Sequence, residues 1–226
     1  MLVEASTAIR RCFIPLVLCH SLYVIAYGVL LVGQIVVSLG LAEREAGLMT
    51  VVWLREFSTW ITAMIVAGVA GSAITADLGA RKVRDELDAL AVLSVDARRS
   101  LVVPRVVAIT LVAPLLSVMS VFIVTGANYL VGPGHLGYST GVFRANVVHN
   151  LVPLDFIALM IKSTVIGFFV GVVCCQKGLG SSGGAVGVGR AVNQAVVVTF
   201  LGIWVFNSLF NVAYLSLFPD VAVIRG

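Results

Sequence analysis

Five stretches of this chain stay apolar over the ~20 residues that a helix needs to cross a bilayer. They fall at residues 12–39, 57–76, 106–131, 156–175 and 191–218. Four of them carry no charged residue, and residues 156–175 carry only Lys162. Polar positions gather between the stretches. Residues 81–94 (RKVRDELDALAVLS) put Val83, Leu87, Leu90 and Leu93 at helical spacing, with Arg81, Arg84, Asp85 and Asp88 on the other faces. Thr75 and Asp77 stand ready to cap such a helix, and Gly79 is expected to separate it from the span. Residues 41–56 read as an interfacial helix, and residues 132–150, opening on Gly132-Pro133-Gly134, as a loop. The pattern predicts an all-α integral membrane protein in one domain, residues 1–226. It has five transmembrane helices and a short amphipathic helix between spans two and three.

Composition agrees: 60% of residues are hydrophobic, mean hydropathy is +1.08, and only 12% are charged. A soluble domain carries about 25% charged residues. With the N-terminus inside, the inner segments hold Arg10, Arg11, Arg81, Lys82, Arg84, Arg98, Arg99, Arg105, Lys177 and Arg190. The outer ones hold Arg44, Arg55, Arg144 and Arg225. That bias sets a cytosolic N-terminus and an outside C-terminus. Trp53, Trp60 and Tyr129 fall near span ends, where amphipathic rings favour the headgroup level. The net charge of +4 is spread over short loops, so no nucleic-acid footprint is expected. Arg10 and Arg11 precede a run long enough to span and without a cleavage site, so it reads as a span and not as a signal peptide.

Small residues recur every four positions at Ala63, Ala67 and Gly71, with Gly68 and Ser72 beside them, and again at Gly167 and Gly171. In lipid this spacing serves close helix packing, either within the chain or between subunits. Pro114 is expected to kink the third span. The fifth is unusually polar. Asn193, Gln194, Asn207, Ser208 and Asn211 fit either an interior surface or hydrogen bonds between helices, and Asn207 and Asn211 share a face.

A charge at membrane depth costs about 3 kcal/mol, so Lys162 needs protein or water around it. Asp155, two turns earlier on the same face, and Glu56 are the candidate partners. Such a pair either locks packing or anchors a polar group in a cavity. Cys12, Cys19, Cys174 and Cys175 have no metal spacing and read as small core residues. Residues 178–189 (GLGSSGGAVGVG) are rich in glycine, but no Gly-Lys-Ser/Thr follows and no strand precedes, so a nucleotide loop is rejected. No cofactor is expected on this chain. An intramembrane lipid-modifying enzyme is an alternative, but His20 is alone in its span and neither HExxH nor Gly-x-Ser-x-Gly occurs. An ion-coupled transporter would favour inverted repeats and more buried acids.

One segment carries a resemblance. Gly71-Ser72-Ala73-Ile74, Ala76-Asp77-Leu78-Gly79, Arg81-Lys82, Asp85-Glu86-Leu87-Asp88-Ala89 and Val103-Pro104-Arg105 follow one another at set spacing. This resembles the signature of the MlaE/YrbE permeases, the membrane subunits of ABC-type Mce/Mla lipid transporters. Residues 183–194 look most like the A-type YrbE subunit of actinobacterial Mce systems. Ser94 and Ala97 depart from the family's Gly and Pro. Only residues 1–11 precede the first span, so the family's N-terminal interfacial helix is expected to be absent or shortened.

The resemblance implies a multi-pass permease of the cell's inner membrane. Arg81, Lys82, Arg84, Asp85, Glu86, Leu87, Asp88 and Leu90 would couple it to a cytosolic ATPase that uses ATP and Mg. Arg55, Glu56, Lys162, Asn207 and Asn211 would line a substrate cavity. The partners implied are a second YrbE-type permease, identical or paralogous, that ATPase, an outer ring or tube of Mce proteins, and membrane lipid. The direction implied is import of a fatty acid, sterol or phospholipid.

Overall fold

The computed structural model describes residues 2–219, all of its regular structure helical. In chain order the helices are α1 (Leu2–Ser38), α2 (Ala42–Val83), α3 (Glu86–Val92), α4 (Arg98–Leu136), α5 (Thr140–Asn150), α6 (Pro153–Leu179) and α7 (Gly184–Leu217). All but α3 and α5 are long and apolar enough to cross a membrane. The five expected spans are therefore present, in order, in an all-α membrane protein. Arg225, counted above among the outer residues, lies outside the described residues.

The elements run longer than the apolar stretches. α1 begins at Leu2, because Ala8, Cys12 and Leu16 form one buried stripe that extends below the first apolar residue. Residues 41–56 are not a separate interfacial helix but the first turns of α2. They join the span through widened π-type turns at Trp53–Phe57, where the Ser58 amide reaches back to the Trp53 carbonyl. The helix expected over residues 81–94 is also divided differently. α2 continues through Gly79 to Val83, and the chain breaks at Arg84 and Asp85, with Asp85 in the left-handed region at φ 58°. Gly79 is there for contact. A Cβ on it would sit 3.1 Å from both Ser181 Oγ and a Val188 methyl. α4 runs unbroken past Pro114 and through Pro133 until Gly137 turns at φ 79°. The expected outer loop is thus mostly helix, and the Ser139 hydroxyl caps α5 by accepting the Val142 amide at 3.2 Å.

α4 and α6 pack along each other at the centre. α1 leans on α4, and α2 and α7 lean on α6. Leu16, Val66, Ile109, Leu116, Ile166, Val170 and Ile203 fill the contact. The small residues let the backbones meet. A Cβ on Gly167 would lie 2.7 Å from the Ala113 Cβ and 3.0 Å from the Ile109 carbonyl, and one on Gly171 would lie 3.1 Å from the Val106 Cα. Gly71 faces Cys174, whereas Gly68 faces open space. The main stripe therefore serves packing inside this chain, where van der Waals contact supplies the attraction that water gives a soluble core.

Polar pairs mark the two ends of the bundle. At one end Arg105 of α4 meets Glu4 of α1 and Asp77 of α2. At the other, Glu45 of α2 is fully buried and accepts from the Tyr138 hydroxyl at 2.6 Å and the Asn128 amide at 3.2 Å. Burial and that carboxylate hold the Tyr138 phenol above its usual range.

Candidate functional site

The five residues expected to line a cavity come together at the same end of the bundle as Glu45. Arg55 and Glu56 sit on the widened turn of α2, Lys162 on α6, and Asn207 and Asn211 on one face of α7. Asn207 Nδ2 donates to Glu56 Oε2 at 2.6 Å, and Asn211 Nδ2 donates to Glu56 Oε1. Lys162 Nζ donates to Asn211 Oδ1 at 3.0 Å and to the Arg55 carbonyl, and it lies 5.7 Å from the centre of the Phe210 ring. Lys162 is 2% exposed.

Asp155 does not serve Lys162 directly. The Arg55 guanidinium takes it through two bonds, Nε at 3.0 Å and Nη2 at 3.1 Å, and the Tyr214 hydroxyl donates to it at 2.7 Å. The reason is geometric, because a planar guanidinium matches both carboxylate oxygens and a single ammonium does not. Among the described residues Lys162 has no carboxylate within ion-pair distance. It is held instead by an amide oxygen and a main-chain carbonyl, with Glu56 one residue further along the chain of bonds. Sequence reasoning missed Tyr214. Its spacing of three from Asn211 and seven from Asn207 puts it on the same face of α7, and that was the available signal.

The cluster packs tightly around Lys162. The gap beside Lys162 is only about 10 Å³. Two larger apolar grooves flank the bundle outside it. One, of about 300 Å³, runs between α6 and α7 over Ile157, Ile161, Phe210 and Leu217. The other, of about 550 Å³, lies between α1 and α2 over Tyr23, Trp60, Met64 and Gly68.

At the opposite end, the residues expected to couple to an ATPase occupy three places. Arg81 and Lys82 are on the last turn of α2, Arg84 and Asp85 form the bend, and Glu86, Leu87, Asp88 and Leu90 are on α3. The charges pair with one another: Arg81 with Glu86 at 3.4 Å, Arg84 with Glu86 at 2.7 Å, and Lys82 with Asp88 at 3.5 Å. Exposed pairs of this kind hold by about 0–1 kcal/mol. Leu87 and Leu90 are half-buried, while Val92 and Leu93 are 85% and 71% exposed. The break at Asp85 separates Val83 from the rest of the predicted stripe. Neither Thr75 nor Asp77 caps α3. The Thr75 hydroxyl donates to the Gly71 and Cys174 carbonyls, and Asp77 is bound by Arg81 and Arg105. Ser94, just past α3, adopts φ 57°, a conformation that costs a side chain about 1–2 kcal/mol.

A family model for the permease MlaE matches residues 5–213, nearly the whole chain. The chain belongs to the MlaE permease family. Among relatives of this MlaE-family chain, a Rickettsia felis protein named a probable ABC transporter permease is 34% identical over 198 residues. That match covers 84% of this chain and 76% of the relative. A Synechocystis protein with the same description is 34% identical over 169 residues, covering 74% of this chain and 64% of the relative. The chloroplastic Arabidopsis thaliana protein trigalactosyldiacylglycerol 1 is 35% identical over 167 residues, 74% of this chain. The match spans 48% of that plant protein's length.

His20 packs against Trp53, with Nδ1 2.9 Å from the Leu16 carbonyl and Nε2 3.5 Å from the Thr62 hydroxyl. Three or more His, Cys, Asp or Glu side chains converge nowhere among the described residues.

Proposed function

We propose that this chain is the membrane subunit of an ATP-driven lipid transporter. The observation that carries the reading is α3. It is a short helix held off the bundle by a left-handed bend, its apolar side half open, on a chain of the MlaE permease family. An exposed apolar stripe ringed by mutually paired charges suits insertion into a groove of a separate cytosolic ATPase. ATP and Mg belong to that subunit. The plant relative's name points to a glycerolipid as cargo, and the two apolar grooves offer acyl chains a path along the bundle.

The same reading places α3 and the α6–α7 turn in the cytosol, following the basic bias, in the inner membrane. A second permease, identical or paralogous, would close the grooves into a central cavity bordered by Arg55, Glu56, Lys162, Asn207 and Asn211. An Mce ring or tube on the outer face, and import, rest on the likeness of residues 183–194 to A-type YrbE subunits.

The test is docking. Leu87→Asp puts a charge on the half-buried apolar side of α3. It should abolish co-purification of the ATPase while the permease still inserts at normal level. Full ATPase association in that variant would overturn the assignment.

A further inference from the structure

α3 projects from the bundle and packs on the end of α2, so any push on it must enter the bundle through a small set of contacts. A chain of charges runs through that point. Glu86 of α3 accepts from Arg81 at 3.4 Å, and Arg81 Nε donates to Asp77 Oδ2 at 3.0 Å. The same Asp77 oxygen accepts from Arg105 Nη2 at 2.5 Å, and Arg105 Nε reaches Glu4 Oε1 at 3.5 Å. The chain therefore links α3, α2, α4 and α1 in order. The Arg105 side chain is 8% exposed, and among the described residues its Nη1 is buried without a partner. Asp77 is consequently the nearest negative charge to a guanidinium that cannot retreat to water.

We propose that Asp77 is the positioning residue that couples α3 to the first and third spans. Its one carboxylate oxygen holds both the side facing α3, Arg81, and the buried side, Arg105. Displacing α3 drags Arg81 and changes the balance of the two bonds, and Arg105 then pulls on α4 and on Glu4 of α1. Local packing alone would not require one oxygen to be shared between the projecting end and the core. The inference rests on the reading of α3 as the ATPase contact.

The test uses the permease with its ATPase in nanodiscs, in a background without Cys12, Cys19, Cys174 and Cys175. Spin labels at Val3 on α1 and Gln176 on α6, both exposed, report the cytosolic end of the bundle. The unsubstituted complex should show an ATP-dependent shift in that distance. Asp77→Asn should keep the ATPase bound and its basal hydrolysis unchanged, yet lose the shift, while Asp77→Glu should restore it. Arg105→Lys keeps the charge but loses the planar fork that sends Nη2 to Asp77 and Nε to Glu4, and it should lose the shift too. An ATP-dependent shift that persists in Asp77→Asn, or that is missing without substitution, overturns the proposal. Loss of ATPase association from the unsubstituted complex would instead overturn the docking reading.

Discussion

A cation inside a bilayer is tolerated only when its hydrogen bonds are met, and Lys162 meets them with neutral groups. The carbonyl of Arg55 and the amide oxygen of Asn211 accept from it, and Asn211 passes the polarity on to Glu56. Lys162→Met removes the donor from the part-buried Asn211 amide oxygen, at about 1–3 kcal/mol for an unsatisfied group, and leaves the Glu56 charge without its nearby cation. We expect a lower midpoint of thermal unfolding and impaired lipid transport. Adding Glu56→Gln should recover the stability, because the unpaired charge goes, but not the transport. Normal lipid uptake by Lys162→Met at matched expression would reduce the cluster to a packing brace. The sequence offered Lys162, Asn207 and Asn211 from polarity at depth and Glu56 as a partner, while Arg55 came only through the family resemblance. It did not assign the bonds, because two carboxylates lay within reach of Lys162 and only side-chain shape gives Asp155 to Arg55.

At the scale of elements, the helices meet where side chains are missing. Gly167 of α6 touches the main chain of α4, so Gly167→Ala must push two backbones apart. Overpacking of this kind costs about 1–3 kcal/mol. Gly126 lies inside α4 with nothing within 4 Å of where a Cβ would go. There the same change should be neutral or stabilise by up to about 1 kcal/mol through helix propensity. Thermal unfolding of the two variants in one detergent checks the pair, and equal effects would mean that the α4–α6 contact is looser than described. The sequence showed the small-residue spacing on α2 and on α6 but not which neighbour each residue meets.

For the whole molecule, the two polar ends fix which loops share a side. Arg105 ties the start of α1 to the α2–α3 region, and Ser181 near Gly79 brings the α6–α7 turn to the same end. The turn at Gly137 is at the other end. In a background lacking the native cysteines, membrane-impermeant labelling from outside should reach position 137 and miss positions 85 and 182. All three are exposed on the protein, so failure to label reports the membrane and not burial. Labelling of position 85 from outside would invert the proposed orientation.

The sequence by itself determined the number of spans, their order, the projecting amphipathic segment and the polar positions at depth. Each follows from a local cost, namely that charges and unpaired polar groups are expensive in lipid. It also carried the family through the order of short motifs around Asp77 and Arg105. The tertiary structure decided where helices stop and which groups bond. Residues 41–56 join α2 and residues 2–11 join α1 because neighbouring helices bury stripes that extend past the apolar runs. α2 passes Gly79 because that glycine packs against the α6–α7 turn, and the break falls at Asp85 instead. Asp77, which the sequence offered as a cap, became the shared acceptor of two arginines from different elements. Such choices depend on residues far apart in the chain, and only packing brings those within hydrogen-bond reach.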